Sequence, residues 1–140
     1  LIDVMPTLVE LAGANYPQQV AGQPILPMEG VSLVPVLQGS EVERGLPLFW
    51  EFSGNHAIRE GNWKLVAERS KEWELYDLAV DRSETEDLSA QHPDRVRQLA
   101  LRYDSWAARV GAKSHAQSVR SKPSSQSQLF DLEALSAGSD

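Results

Sequence analysis

Four short, aromatic-rich segments separated by tight turns occupy residues 46–78, and they limit the possible fold more than any other feature. The segments are 48–52, 56–59, 63–66 and 73–78. Glu60-Gly61-Asn62 joins the second to the third, and glycine and asparagine tolerate the positive φ of a tight hairpin. We therefore predict a four-stranded antiparallel sheet in which strands adjacent in sequence are also adjacent in space.

A long amphipathic helix is predicted after the sheet. Pro93 suits the first turn of a helix with His92 at the capping position, and Gly111 suits its end. Between them, apolar residues recur at steps of three and four and form one stripe: Val96, Leu99, Tyr103, Trp106 and Val110. Because such a helix would lie across one face of the sheet, the predicted fold class is α+β.

The residues before the sheet predict less regular structure. A short helix is expected over 3–14, with Asp3 as its cap and Gly13 as its stop. The connection 15–45 is rich in proline and glycine and has room for only one helical turn, near 32–37. A helix of two to three turns is not stable alone in water. Since the chain also opens on Leu1 rather than an initiator methionine, we expect a fragment whose first helix docks on a larger body.

The composition changes after Gly111, where serine, glutamine and lysine dominate. Such a segment has too few apolar side chains to bury a core. We predict that 112–140 is a Ser-rich, disordered tail, in which a helical turn over 130–135 has no obvious partner.

Composition also excludes several classes of protein. The chain carries 20 Asp and Glu against 13 Lys and Arg, a formal charge of −7, which argues against nucleic acid as a partner. No apolar run approaches the roughly 18 residues of a membrane span, so no membrane partner is expected. The absence of cysteine removes disulfides, thiolate nucleophiles and zinc–thiolate sites.

Few residues are candidates for chemistry. The three histidines have no zinc-ligand spacing. The acidic stretch 81–87 lacks the central glycine and the alternating oxygen ligands of a calcium loop. A phosphate-binding glycine loop and a nucleophile elbow are also missing. The residues alone therefore predict no catalytic group and no metal site in this chain.

His56 and Trp50 each have a functional alternative to a structural role. His56 follows the turn at 53–55 and could project into a cleft, although a single histidine is more often structural. The four tryptophans (Trp50, Trp63, Trp73 and Trp106) would most simply pack together in the core. A carbohydrate platform would need one of them to face outward, and Trp50 is the best placed because it precedes the turn that carries His56.

Four segments, in order, resemble sulfatases, particularly the bacterial arylsulfatase group. They are 3–13 (DVMPTLVELAG), 29–37 (EGVSLVPVL), 49–66 (FWEFSGNHAIREGNWKLV) and 73–88 (WELYDLAVDRSETEDL). The match is colinear from residue 1 to about Gly111. Each motif is modest by itself, but four in sequence with the correct spacing are specific.

The resemblance implies a division of the chain into three parts. Residues 1–45 would end the large, alkaline-phosphatase-like α/β domain and its connecting loop. Residues 46–111 would form the C-terminal subdomain, a β-meander plus a helix, and 112–140 would be the tail. The implied partners are the missing N-terminal domain and a sulfate-ester substrate. Many bacterial members of the family are exported, so a periplasmic or secreted location is implied.

The resemblance further implies a parent enzyme that hydrolyses sulfate esters, with this fragment inactive alone. In sulfatases the nucleophile is a formylglycine made from a Cys/Ser-x-Pro-x-Arg motif, and a calcium ion is held by Asp and Asn side chains. That motif and those ligands are absent here, so no cofactor is expected in this fragment. Calcium and formylglycine are expected in the missing N-terminal part.

What the resemblance leaves to this fragment is structure and part of the substrate cleft, with Glu51, Asn55 and His56 as candidates. The chain departs from the family where Phe52 replaces a histidine and where His56 replaces an arginine. Both positions lie near the predicted rim, so the substrate preference would differ from that of relatives. Arg82, which replaces a proline, would affect only the stiffness of a turn.

Two alternatives stay open. One is a related phosphonate or phosphate monoester hydrolase, whose C-terminal part can look similar, and the other is a stand-alone α+β binding module. A Cys/Ser-x-Pro-x-Arg segment upstream would support the sulfatase. Protection of the first helix from hydrogen exchange in the isolated chain would favour the module.

Overall fold

The computed structural model describes residues 1–69, 71–115 and 117, in two compact units that divide between Pro47 and Leu48. In chain order the elements are α1 (Val4–Leu11), β1 (Gln19–Val20), β2 (Gln23–Pro24), α2 (Val34–Leu37), β3 (Leu48–Phe52), β4 (Asn55–Glu60), β5 (Trp63–Ala67), β6 (Glu74–Asp77) and α3 (Pro93–Val110). Within this part of the chain, no helix combines the length and apolarity needed to cross a bilayer. Most of the predicted tail, including the turn over 130–135, lies outside the described residues.

The four strands of the second unit form an antiparallel sheet in the order β3-β4-β5-β6, as predicted. Two residues, Ser53 and Gly54, connect β3 to β4 with φ values of +54° and +84°. Positive φ at both central positions gives the turn the twist that a hairpin needs. Gly61 takes φ +59° in the next turn, where a side chain would be strained. The turn residues therefore fix the meander locally.

Helix α3 packs on one face of this sheet and closes the core. The register places Ile58, Leu65 and Leu75 side by side on the three strands β4, β5 and β6. These three are fully buried together with Leu99, Tyr103 and Ala107 of the helix. The α+β fold class is thereby confirmed. Four residues of the predicted stripe on α3, namely Val96, Leu99, Tyr103 and Trp106, contribute to this core.

Helix α3 begins and ends at the predicted residues, but only its C-terminal residue plays the predicted capping role. Gly111 adopts the left-handed conformation, φ +73°, that terminates helices. His92 occupies the capping position without a side-chain capping hydrogen bond. Its ring instead packs edge-on against Trp63, with the centroids 5.3 Å apart. The start of the helix is therefore fixed by packing and by Pro93.

The acidic connection between β6 and α3 is held by its own carboxylates. Asp81 Oδ2 accepts hydrogen bonds from the N–H groups of Thr85 at 2.7 Å and Glu86 at 2.9 Å. Asp87 Oδ1 accepts one from the Leu75 N–H at 2.9 Å, at the edge of the sheet. Such charge-assisted bonds hold the connection in place.

In the first unit, the predicted capping role of Asp3 is wrong. Its carboxylate accepts a hydrogen bond from the Val31 N–H at 2.9 Å and pairs with Arg44, and it makes no capping bond. The backbone of Asp3 is already helical, with φ −82° and ψ −14°, whereas a capping side chain needs an extended residue. The bond from Arg44 holds the pKa of Asp3 below its usual value.

The rest of the first unit matches the sparse prediction. The connection contains only the two-residue strands β1 and β2, turned by Ala21 and Gly22 at positive φ, and the single turn α2. On α1, the side chains of Val4, Leu8 and Leu11 are 49%, 54% and 61% exposed. These three side chains form an apolar face of α1 that is open to solvent in the described chain.

Candidate functional site

Glu51 and Asn55 flank the β3–β4 turn and bind its backbone. Glu51 Oε1 accepts a hydrogen bond from the Gly54 N–H at 3.2 Å. The Asn55 side-chain amide donates to the Phe52 carbonyl at 3.0 Å, and its oxygen accepts from the Arg69 N–H at 3.1 Å. Both side chains are half-buried, at the end of the sheet. They are therefore held in place while part of each stays accessible.

His56 lies in the core, not at the rim of a cleft. Its residue exposure is 1%, because strand alternation puts it on the same face as Ile58, towards α3. Its Nδ1 lies 2.8 Å from the hydroxyl oxygen of Tyr103, which is fully buried. This placement supports a structural role for His56 rather than a position in a cleft.

The protonation of the His56–Tyr103 pair follows from its burial. Burial lowers the pKa of His56, and the neighbouring His115 lowers it further, against the opposing carboxylates of Glu51 and Asp104. Burial also raises the pKa of the Tyr103 hydroxyl. Both groups are therefore neutral at neutral pH, so one hydrogen bond joins two uncharged side chains in the core.

Aromatic rings surround this pair. The ring centroids of Tyr103 and His115 lie 5.3 Å and 5.7 Å from that of His56, and both rings are set edge-on to it. Trp73 stacks at a tilt on His115, with centroids 4.7 Å apart. His115 Nε2 is also 2.7 Å from the Lys71 carbonyl oxygen. The chain after α3 is thereby attached beside the residues that precede β6.

Trp50 lies on the opposite face of the sheet, so the prediction that all four tryptophans share the core is wrong for it. The register pairs Trp50 with Ala57, while its neighbour Phe49 pairs with Ile58 on the core side. Phe49 stacks on Trp106 with centroids 4.9 Å apart and ring planes within 3°. Trp50 is 47% exposed. It therefore meets the requirement of the carbohydrate-platform alternative, a tryptophan that faces outward.

An open groove of about 700 Å³ lies beside Trp50 on this face. Its lining is Trp50, Ala57, Arg59, Asn62, Lys64, Leu78, Ala79, Arg82 and Glu84. Three of these side chains are cationic and one is a carboxylate. Lys64 Nζ binds both carboxylate oxygens of Glu84, at 2.5 Å and 2.7 Å, so the lining keeps a positive excess.

Sequence reasoning missed the cationic groove and the partner of His56. The sequence contained a signal for the cationic groove. Arg59 and Lys64 stand in register on either side of the Gly61 turn, so their side chains share a face of the sheet. Tyr103 lies 47 residues from His56 in the chain, and the sequence indicated only its place in the helical stripe, not its contact with the histidine.

The described residues bring no three His, Asp or Glu side chains together as a metal site.

Relatives of known class were found by sequence. No family model matches the chain. An uncharacterized sulfatase of Schizosaccharomyces pombe is 31% identical over 118 residues, which are 79% of this chain and 21% of that protein. Arylsulfatase K of Xenopus laevis is 28% identical over 116 residues, 71% of this chain and 20% of that protein. This chain spans about a fifth of the length of these curated relatives.

Solved structures share the fold. Ps i-CgsB in complex with k-i-k-neocarrahexaose superposes with a TM-score of 0.59 at 19% identity, over 94% of this chain and 28% of that one. A protein in complex with its substrate D-glucosamine-2-N,6-O-disulfate superposes with a TM-score of 0.54 at 21% identity, over 76% of this chain and 23% of that one. Phosphonate monoester hydrolase of Agrobacterium radiobacter superposes with a TM-score of 0.51 at 24% identity, over 76% of this chain and 24% of that one. At these identities the likeness is one of fold.

These structures define the class of fold, a small antiparallel sheet with one packed helix. The sequence relatives narrow the class further. The chain belongs to the sulfatase family, as its four motifs predict, and it matches a minor part of its relatives.

Proposed function

We propose that this chain is part of an enzyme that hydrolyses sulfate esters, and that it contributes structure and part of the substrate cleft. The observation that carries the proposal is the 118-residue match to a sulfatase at 31% identity. The fold supports it, because the solved structures described above share it over most of this chain.

The chemistry of the bond-breaking step is proposed to lie outside this chain. The chain has no cysteine and no Cys/Ser-x-Pro-x-Arg segment, and its described residues do not fit a calcium ion. In the sulfatase class, calcium and formylglycine supply charge neutralisation and a nucleophile. We assign both groups to a large N-terminal domain.

Glu51 and Asn55 are proposed to line the cleft. Glu51 binds the turn with one of its two carboxylate oxygens, whereas Asn55 uses both its amide nitrogen and its amide oxygen. Both side chains are half-buried, so the second oxygen of Glu51 and the remaining capacity of the Asn55 amide are proposed to meet the substrate at a fixed position. Carboxylate and amide oxygens accept hydrogen bonds from hydroxyl groups such as those of a sugar. His56 is buried against Tyr103 and is proposed to act as a positioning residue, which holds the start of β4.

The proposal also assigns a partner to the open face of α1. Three apolar side chains of this helix are about half exposed. Exposed apolar surface of this kind marks an interaction site. We propose that the large N-terminal domain covers it.

The proposal is tested on the full-length protein that carries this chain, produced with the maturation that forms formylglycine. Turnover of 4-nitrophenyl sulfate is compared with that of the matched 4-nitrophenyl phosphate and phenylphosphonate ester. We expect inorganic sulfate as the main product. Faster release of phosphate or phosphonate would replace the proposal by the second candidate, which the fold shared with a phosphonate monoester hydrolase favours.

A further inference from the structure

We infer that the groove beside Trp50, which we call the Trp50 groove, binds a sulfated sugar unit of the substrate at a distance from the Glu51–Asn55 turn. The inference rests on the proposed function and deepens it, since it names the substrate class. It depends on the shape of the groove, on its charge and on the exposed indole.

The shape follows from strand alternation. Trp50 and Ala57 stand side by side on the open face of the sheet, and Ala57 is only 8% exposed. A methyl group at this position leaves space between the indole and the side chains of Arg59 and Lys64, which form the next pair on the same face of the sheet. The connection after β6 supplies the far wall with Arg82. A volume of about 700 Å³ suits a small ligand rather than a protein surface.

The charge of the groove is opposite to that of the whole chain. Arg59, Lys64 and Arg82 face one carboxylate, Glu84, in a chain of formal charge −7. Lys64 forms an ion pair with Glu84. Arg59 uses its Nε to bind the Gly61 carbonyl at 3.0 Å, which fixes its position and leaves its terminal nitrogens for a ligand. Arg82 is exposed at the wall. Two guanidinium groups beside one cavity favour an oxyanion, which they bind with paired hydrogen bonds.

The indole adds a second kind of contact. Trp50 presents about half of its surface to solvent beside these cations. An aromatic ring combines a large apolar face with a polar edge, so it stacks on a flat apolar surface such as one face of a sugar ring. A ligand that offers both such a face and an oxyanion is a sulfated saccharide. Binding energy from a unit remote from the reacting ester can be used at the reacting centre.

The test measures binding of a sulfated hexasaccharide and its chemically desulfated counterpart to the full 140-residue chain. The signal is the indole N–H resonance of Trp50, assigned with Trp50→Phe. We expect saturable shifts with the sulfated sugar and at least about tenfold weaker binding of the neutral one, the scale of one or two charge-assisted bonds. Trp50→Ala, Arg59→Gln and Arg82→Gln are each expected to weaken binding by about five- to tenfold.

The matched control is Arg97→Gln, which removes the same charge from the exposed side of α3, where Arg97 pairs with Asp94. It is expected to change affinity less than about twofold. Equal losses for Arg97→Gln and Arg82→Gln would overturn the inference in favour of non-specific attraction. Binding without a shift at Trp50, or equal shifts with a poly-glutamate peptide, would also overturn it.

Failure of this inference is distinguishable from failure of the proposed function. If the full-length wild-type protein releases sulfate while the Trp50 groove binds no sulfated sugar, the inference alone falls. If the protein releases no sulfate, the proposed function falls whatever the groove binds.

Discussion

Nδ1 of His56 and the hydroxyl oxygen of Tyr103 lie 2.8 Å apart inside the core, joining the second strand of the sheet to the long helix. Both side chains are almost wholly buried. This bond links the turn that carries Glu51 and Asn55 to the helix. It also gives the sheet–helix interface a polar contact whose loss can be measured.

Tyr103→Phe is expected to lower the free energy of unfolding of the second unit by about 1–3 kcal/mol, because Nδ1 of His56 loses this hydrogen bond inside the core. Denaturant unfolding followed by tryptophan fluorescence measures it, because all four tryptophans lie after Leu48. Tyr76→Phe is the control. It removes a hydroxyl bonded at 2.8 Å to Glu74, which is exposed to water, and should cost less. Equal costs would contradict the role of the buried bond.

Stability of the second unit is expected to fall as the pH drops from about 7 towards about 5. Burial lowers the pKa of His56 in the folded chain, with His115 adding to the effect and Glu51 and Asp104 opposing it. The unfolded chain therefore binds a proton on this residue at a higher pH than the folded chain does. The contribution of His56 to stability is fully present above pH 6.5, the ordinary pKa of histidine. It is lost as the pH falls through the lower pKa that His56 has in the folded chain.

His56→Gln provides the control for this pH dependence. The variant is less stable at every pH, but its stability should vary less than that of the wild type between pH about 7 and about 5. Asp81, whose pKa is lowered by hydrogen bonds led by the one from the Glu86 N–H, acts in a separate window below about pH 4. An unchanged slope in His56→Gln would show that another group titrates.

Leu99→Ala is expected to lower the free energy of unfolding by about 2–5 kcal/mol, because it leaves a cavity under the helix. Leu99 has no exposed surface, whereas Leu101, two positions later on the same helix, is 62% exposed. Leu101→Ala should change stability by less than about 0.5 kcal/mol. Similar costs in denaturant unfolding would mean that α3 packs in a different rotation.

Backbone amides of α1 are expected to exchange with solvent almost unprotected in the isolated chain, while those of the sheet stay protected. The reason is the uncovered apolar face formed by Val4, Leu8 and Leu11. In the full-length protein the same amides should be protected by the proposed large domain. Protection of α1 already in the isolated chain would favour a stand-alone module.

The elements predicted correctly are those whose cause is local. Gly61 and the Ser53-Gly54 turn set the hairpins, and the three- and four-residue spacing with Gly111 sets the helix. The predicted cap at Asp3 failed for a non-local reason. Its carboxylate is taken by Val31 and Arg44, which lie 28 and 41 residues further along the chain.

The site was less predictable because it depends on register. A tryptophan count indicates a core, yet Trp50 faces outward because it stands one residue from Phe49 on a strand whose side chains alternate. His56 followed a turn, which suggested a rim, but the same alternation sends it towards Tyr103. Only the pairing of strands settles which face each of these residues occupies.

The measurement that tests the account most directly is the kinetics of Glu51→Gln in the full-length protein with a sulfate ester. Glutamine keeps an oxygen for the Gly54 N–H and removes the charge, so the turn should persist. We expect KM to rise about five- to tenfold with kcat within about twofold, since the residue is proposed to bind substrate without taking part in bond cleavage. Glu72→Gln, at an exposed position, is the control and should change neither value. A fall in kcat with unchanged KM, or kinetics equal to those of the control, would contradict the account.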